Sequence, residues 1–122
     1  MNDRTRTVLI VDDDPQILRL VEKMLRPRSI NLLMAPRPSD ALLICQSQAV
    51  DLLISDVAMP EMDGNRLAER VLKLYPQAAV LLISGYFKDP PAASKFDQVR
   101  FLRKPFFPSQ LLDYLRELLP EA

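Results

Sequence analysis

The sequence predicts an α/β fold, a three-layer α/β/α sandwich in which helices cover both faces of a five-stranded parallel sheet. Five apolar runs of strand length alternate with segments whose apolar residues recur at helical spacing. Three of these runs, the first, third and fourth along the chain, lack the alternation of a half-exposed strand, as is typical of parallel strands buried on both faces. The strands are expected at residues 8–11, 31–35, 50–55, 80–83 and 99–103.

Helices are expected between and after these strands. The first follows Asp13 or Asp14, either of which can cap it, and Pro15 suits its first position. The apolar stripes that define three of the helices are Ile17, Leu20, Val21, Met24 and Leu25 in the first, Leu67, Val71, Leu74 and Tyr75 in the third, and Leu111, Leu112, Leu115, Leu118 and Leu119 in the last.

Prolines and a serine give the remaining helix boundaries. Ser39 is predicted to cap the second helix, which runs through Gln48, and Pro76 ends the third. The last helix has Pro108 in its first turn and stops before residue 120. A fourth helix, within residues 88–97, is expected to be short, because two adjacent prolines fit only its first turn.

Composition predicts one water-soluble domain. Of the 122 residues, 48% are hydrophobic and 26% are charged, and 16 basic residues balance 16 acidic ones. This balance gives no positive field to hold nucleic acid, and no apolar run approaches the roughly 20 residues of a membrane helix. We expect a single cytoplasmic domain over residues 1–122, with no output domain, no nucleic-acid partner and no membrane segment.

The chemistry available to the chain is limited by its composition. It has no histidine, which is the usual general base and nitrogen ligand. Its one cysteine, Cys45, lies in an apolar stretch and is interpreted as a small buried hydrophobe. Any reaction must therefore use carboxylates, hydroxyl groups and lysine.

Polar residues follow four of the predicted strands. They are Asp12, Asp13 and Asp14 after the first, Asp56 after the third, Ser84 after the fourth and Lys104 after the fifth. Sites in such sheets lie beyond the carboxyl ends of the strands. Because adjacent carboxylates repel each other, they favour a hard cation such as Mg²⁺. We expect Asp13 and Asp56 to bind it directly, Asp56 to act as a nucleophile toward a phosphoryl group, and Lys104 to stabilise the transferring charge.

Each of these residues alone has a simpler interpretation. An aspartate after a strand is often only a helix cap, which suits Asp14 before Pro15. A lone lysine is usually a solvated charge and a lone serine a turn residue. The coincidence of such residues at four strand ends favours a functional site.

Several motifs together resemble the receiver domains of two-component signalling. They are Val11-Asp12-Asp13, Asp56-Val57-Ala58-Met59-Pro60, Asp63-Gly64, Ser84-Gly85 and Lys104-Pro105-Phe106, and they span essentially the whole chain. Their order and spacing, with the Met-Pro-Glu-Met-Asp-Gly segment after Asp56, are more specific than any one of them. The resemblance implies a flavodoxin-like, CheY-like sheet with strand order 2-1-3-4-5.

The resemblance also implies roles for the site residues. Asp56 is the phosphoacceptor, Asp12 and Asp13 form the acidic pocket, and the backbone carbonyl of Ala58 completes the ligands of Mg²⁺ or Mn²⁺. The donor is a sensor histidine kinase or a histidine phosphotransfer protein. Such a protein is a signalling module and turns over no separate substrate.

A switch is implied as well. Ser84 and Lys104 contact the phosphoryl oxygens, and Phe101 turns inward as Ser84 moves. The reshaped surface, which includes Arg100 and residues 86–96, is the expected contact for a downstream protein partner. The protein is expected to be a monomer or a phosphorylation-dependent dimer, with a cis peptide bond before Pro105.

Four positions depart from, or refine, the receiver pattern. Phe101 lacks the hydroxyl group of a tyrosine, so its switching rests on packing. Gly85 follows Ser84 where alanine is frequent, and Phe107 replaces a polar helix cap and is expected to be an exposed apolar contact. Gly64 is predicted to supply a backbone conformation open to glycine.

Other functions were weighed against this one. A receiver-like interaction module that does not use phosphorylation is the alternative, and it would normally have lost Asp56, Lys104 or an acidic-pocket residue. A phosphohydrolase of the haloacid-dehalogenase type needs a second acid two positions after its nucleophile, where this chain has Ala58. A dinucleotide enzyme needs a glycine-rich loop, and the chain has only Gly64 and Gly85.

Overall fold

Five apolar segments form one parallel sheet in the computed structural model, which describes residues 5–85 and 98–119. The strands are β1 (Arg6–Val11), β2 (Ile30–Ala35), β3 (Leu52–Asp56), β4 (Ala79–Ser84) and β5 (Val99–Arg103). Their order is β2-β1-β3-β4-β5, and all neighbours pair in parallel. The predicted sheet and strand order are confirmed, with strand ends that differ by one or two residues.

Four helices complete the described part of the fold. They are α1 (Pro15–Leu25), α2 (Pro38–Ser47), α3 (Gly64–Leu74) and α4 (Pro108–Leu118). The helix expected within residues 88–97, and the whole partner-binding segment expected at residues 86–96, lie outside the described residues. None of the four helices is long and apolar enough to cross a membrane.

The core has two layers, one on each face of the sheet. Leu9 of β1 packs in a cluster with residues of α2 and α3, whereas its neighbour Ile10 packs in a cluster with residues of α1 and α4. Successive side chains of a strand point to opposite faces, and here both faces are covered. This coverage explains why the central strands lack polar positions.

The helix starts confirm one predicted cap and correct another. Asp14 caps α1, because its carboxylate accepts from the Gln16 N–H at 2.9 Å. The cap predicted at Ser39 is wrong: α2 begins at Pro38, and Arg37 holds the cap position. Its side chain bonds to the Asp40 carboxylate and caps no backbone N–H of the helix. A proline has a fixed φ suited to the first helical position, so the helix starts two residues earlier than a cap at Ser39 would give.

The start of α4 has an apolar residue in place of a polar cap. Phe107 is the cap residue, and its side chain is 75% exposed, as expected for an apolar contact. The Gln110 side chain accepts from the Phe107 backbone N–H at 2.7 Å, which satisfies one donor at this helix end. Cys45 is buried in the core, also as predicted.

Candidate functional site

The acidic residues meet at the carboxyl ends of β1 and β3, two neighbouring strands of the sheet. The chain adds β2 on one side of β1 and β3 on the other, and open sheets place their sites at such points. Asp12 and Asp13 follow β1, and Asp56 is the last residue of β3. One carboxylate oxygen from each of the three lies within 4.8 Å of the others. The structure therefore brings together the acidic pocket predicted from sequence.

Asp12 is the most deeply buried carboxyl group of the cluster, with 1% of its surface exposed. Its Oδ1 accepts from the Asp14 backbone N–H at 2.8 Å, and its Oδ2 lies 3.7 Å from the Nζ of Lys104. Burial raises the pKa of Asp12 from 3.8 to about 6, and the Asp14 N–H and Lys104 oppose this effect. Asp14 thus caps α1 with its side chain and binds Asp12 with its backbone.

Asp56 is also buried, at the end of the central strand β3. Its Oδ2 lies 3.6 Å from the Lys104 Nζ, and the backbone N–H of Ala58 hydrogen-bonds to its carboxylate. The Val57 N–H, which donates to the Ile83 carbonyl at 2.9 Å, attracts the carboxylate more weakly. Burial nevertheless raises the pKa of Asp56 above its ordinary value, because desolvation outweighs these attractions. Ala58 is exposed in the loop that follows β3.

Lys104 lies between the two buried carboxylates. It follows β5, its backbone N–H donates to the Ser84 carbonyl at 2.9 Å, and its peptide bond to Pro105 is cis, as expected. When ionised, the three carboxylates and this one ammonium group leave an excess of negative charge. A divalent cation would neutralise this excess.

The donor set fits a hard cation such as Mg²⁺. Ligand oxygens stand roughly 2.0–2.1 Å from Mg²⁺, so two oxygens on opposite sides of the ion are about 4.2 Å apart. Adjacent ligands of an octahedral ion are only about 2.9 Å apart, so the carboxylate oxygens of Asp12, Asp13 and Asp56, within 4.8 Å of one another, would draw closer together around a bound ion. Asp12 and Asp56 are buried close together, and burial raises the pKa of both carboxyl groups. A bound cation would stabilise their charged forms.

Gly64 lies where the loop after β3 approaches the strand most closely. Its N–H donates to the Val57 carbonyl at 2.8 Å. A Cβ atom at this position would stand 3.0 Å from both the Asp56 carbonyl carbon and the Val57 Cα, and closer still to the Asp56 carbonyl oxygen. The predicted reason for glycine was wrong, since no glycine in the described residues has a positive φ. Close approach to the Asp56 backbone is what requires glycine here.

The two predicted switch residues lie on neighbouring strands. Ser84 is the buried last residue of β4, directly after Ile83, which pairs with Asp56. Phe101 of β5 is half-buried, pairs with Leu82 and packs against the core layer under α2 and α3. The sheet therefore places Ser84 beside the acidic cluster and Phe101 on the side of β5 that faces this core layer.

One residue of the loop after β3, Glu61, has a role that the sequence did not indicate. Glu61 has a φ of 73°, the left-handed region that favours glycine, and its carboxylate accepts from the Ser39 N–H of α2 at 3.3 Å. Neither the positive φ nor the contact with α2 corresponds to a recognisable sequence motif. The glutamate in the Met-Pro-Glu-Met-Asp-Gly segment gave no signal of its own.

Comparison with known proteins identifies the family. The sequence model described as the response regulator receiver domain matches residues 8–116. The chain belongs to this family. Among solved structures, the signal receiver domain of an HD domain-containing protein from Pseudomonas fluorescens has a TM-score of 0.87 and 31% identity, covering 98% of this chain and 90% of that one. The chemotaxis response regulator CheY4 of Vibrio cholerae has a TM-score of 0.81 and 28% identity, covering 95% and 100%.

Two curated relatives of this receiver are much larger proteins. The transcriptional regulatory protein GlrR of Escherichia coli is 30% identical over 124 residues, which cover 100% of this chain and 28% of GlrR. The sensor kinase CckA of Brucella abortus is 35% identical over 120 residues, which cover 93% of this chain and 12% of CckA. The chain therefore spans less than a third of the length of either protein.

The metal-free receiver is expected to become more stable as the pH falls from about 7 to about 4. Asp12 has a higher pKa in the folded protein than in the unfolded chain, so the folded protein binds more protons in this range and loses stability as the pH rises. The change from 3.8 to about 6 corresponds to at most about 3 kcal/mol at neutral pH. Urea unfolding in the presence of a chelator, at a series of pH values, measures this free energy.

Asp12→Asn is the control for this pH dependence. Its side-chain oxygen can still accept from the Asp14 N–H, but it carries no titrating charge. We expect the variant to be more stable than the wild type at pH 7 and to have a flatter pH profile. Parallel profiles for the two proteins would contradict the assignment of this effect to Asp12.

Proposed function

We propose that this receiver accepts a phosphoryl group on Asp56 from the phosphohistidine of a sensor histidine kinase or a histidine phosphotransfer protein. The observation that carries the proposal is the cluster of three carboxylates with Lys104 at 3.6 Å from Asp56 and 3.7 Å from Asp12. Asp12, Asp13, Asp56 and the backbone carbonyl of Ala58 would hold Mg²⁺ or Mn²⁺. Kinase donors are supported by the resemblance to a receiver region within the sensor kinase CckA.

The chemistry proposed for Asp56 is a single transfer. A carboxylate oxygen of Asp56 attacks the phosphorus atom, the bond between phosphorus and the donor imidazole nitrogen breaks, and the imidazole leaves with a proton. The bound cation would supply positive charge to the phosphoryl oxygens. Lys104, already beside the attacking carboxylate, pairs with another of these oxygens. The protein modifies only its own side chain and is not an enzyme with a separate substrate.

Ser84 and Phe101 are the residues that we propose to convert this modification into a signal. A phosphoryl group adds strong acceptor oxygens, and we expect the hydroxyl group of Ser84, at the end of β4, to reorient toward them. Phe101 would then pack further inward from its half-buried position. The affected surface includes Arg100, whose guanidinium group bonds Glu117 of α4 at 2.6 Å. A downstream protein would read this surface.

Asp56→Asn tests the proposal directly. We expect acetyl phosphate or a phosphorylated histidine donor to add one phosphoryl group to the wild type only when Mg²⁺ is present, and to leave the variant unmodified, as measured by intact-protein mass spectrometry. Asp113→Asn, which changes an exposed carboxylate of α4, should be modified like the wild type. A wild type that remains unmodified by several donors would favour the interaction module that does not use phosphorylation.

A further inference from the structure

Glu61 stands at the tip of the loop between β3 and α3 in a conformation that is costly for a side chain other than glycine. Its φ is 73°, and it is the only residue in the described ranges 5–85 and 98–119 with a positive φ. The Met62 N–H donates across it to the Pro60 carbonyl at 2.8 Å, which makes the turn tight. Such a conformation persists only where surrounding contacts hold it.

The Glu61 side chain supplies such a contact, because it reaches helix α2. Its Oε1 accepts from the Ser39 backbone N–H at 3.3 Å, at a helix start whose own cap residue, Arg37, accepts no hydrogen bond from the first backbone N–H groups of the helix. The pKa of Arg37 is raised, first by its hydrogen bond and attraction to Asp40 and then by attraction to Glu61. The Glu61 carboxylate thus lies at the positive end of α2 and near a guanidinium group.

This contact fixes the outer end of a loop whose inner end is already fixed. At the inner end, the Gly64 N–H donates to the Val57 carbonyl at 2.8 Å. Ala58 lies between the two attachments, and its backbone N–H bonds to the Asp56 carboxylate. Without the attachment at Glu61, the backbone of Ala58 would be restrained from one side only.

We propose that Glu61 is a positioning residue for the divalent cation: it holds the loop against α2 and thereby fixes the Ala58 backbone beside Asp56. This inference rests on the proposed function, since it takes the Ala58 carbonyl as a ligand. Glu61 itself contributes no ligand. Its effect is on the affinity of the metal-free site for Mg²⁺, which depends on how well the ligands are placed before the ion binds.

Three substitutions of Glu61 separate this role from a purely structural one. The Mg²⁺ affinity is measured by isothermal titration calorimetry, and the stability of the metal-free protein by thermal unfolding. We expect Glu61→Ala to weaken Mg²⁺ binding about fivefold, the size expected for one lost hydrogen bond. Glu61→Gln should stay within about twofold of the wild type, because its amide oxygen can still accept from the Ser39 N–H.

Glu61→Gly is the decisive variant, because the Mg²⁺ affinity should fall although the stability of the metal-free protein does not. Glycine adopts a positive φ readily, so the unfolding temperature of the metal-free protein should be maintained or raised. The side-chain contact with α2 is lost, so Mg²⁺ binding should weaken at least as much as in Glu61→Ala. Asp40→Asn, which removes the negative charge of the other partner of Arg37 without changing the loop, should keep the wild-type affinity.

The outcomes separate this inference from the proposed function. If the wild type binds Mg²⁺ and both Glu61→Ala and Glu61→Gly bind it equally well, Glu61 does not position the site, and the phosphoacceptor proposal stands. If the wild type binds no Mg²⁺, both proposals fail. Weakened binding in Glu61→Gly, together with an unfolding temperature that is not lowered, is the result that supports a positioning role.

Discussion

Gly64→Ala is expected to destabilise the receiver by about 3 kcal/mol or more and to weaken its binding of Mg²⁺. The added methyl group would stand 3.0 Å from the Val57 Cα and closer than that to the Asp56 carbonyl oxygen. Both neighbours are main-chain atoms, which cannot move aside as a flexible side chain can, and overpacking of this kind costs about 1–3 kcal/mol or more. Urea unfolding of the metal-free protein measures the loss, and calorimetry measures the Mg²⁺ affinity.

The second glycine of the chain offers a matched control. A Cβ atom at Gly85 would meet the Lys104 Cβ at 3.9 Å, an ordinary contact distance, and Gly85 is exposed. We expect Gly85→Ala to change the free energy of unfolding by less than about 0.5 kcal/mol, or to raise it slightly by restricting the unfolded chain. Equal stability of Gly64→Ala and Gly85→Ala would contradict the assignment of Gly64 to close approach.

The sheet was predictable because its physical cause is visible in the sequence. A strand buried on both faces must be apolar throughout, and residues 8–11 and 80–83 are. The start of α1 was predictable for a similar reason, since an aspartate cap followed by Pro15 leaves little choice of position. The start of α2 was not predictable in this way, because a serine cap at Ser39 and a proline in the first turn give different starts. In the structure the helix begins at Pro38, whose fixed φ suits the first helical position.

The acidic pocket was predictable because parallel strands bring their carboxyl ends to one edge of the sheet. Asp12, Asp56 and Lys104 are far apart in sequence, yet topology alone places them together. Gly64 and Glu61 were misread or missed for the opposite reason. The close approach of Gly64 to the Asp56 backbone, and the contact of Glu61 with Ser39 across 22 residues, arise only when separate elements pack against each other.

Lys104→Met is expected to tighten Mg²⁺ binding about tenfold while it destabilises the metal-free receiver by about 2 kcal/mol. Without a cation, Lys104 is the positive charge beside Asp12 and Asp56, at 3.7 and 3.6 Å. Its loss leaves two buried carboxylates with only backbone N–H groups to stabilise their charge, and the partial exposure of Lys104, 27%, moderates the cost. The same substitution removes a positive charge that competes with Mg²⁺ for those carboxylates. Removing this competition should strengthen Mg²⁺ binding by roughly 1.4 kcal/mol, which is a factor of about ten.

Measurements with and without Mg²⁺ test both halves of this expectation. Calorimetry gives the affinity, and urea unfolding should show that saturating Mg²⁺ restores most of the lost stability, because the cation replaces the missing charge. Arg103→Met, which removes the same charge from an exposed neighbour, should leave both quantities nearly unchanged. If Lys104→Met instead binds Mg²⁺ more weakly than the wild type, then Lys104 organises the carboxylates for the cation more than it competes with it.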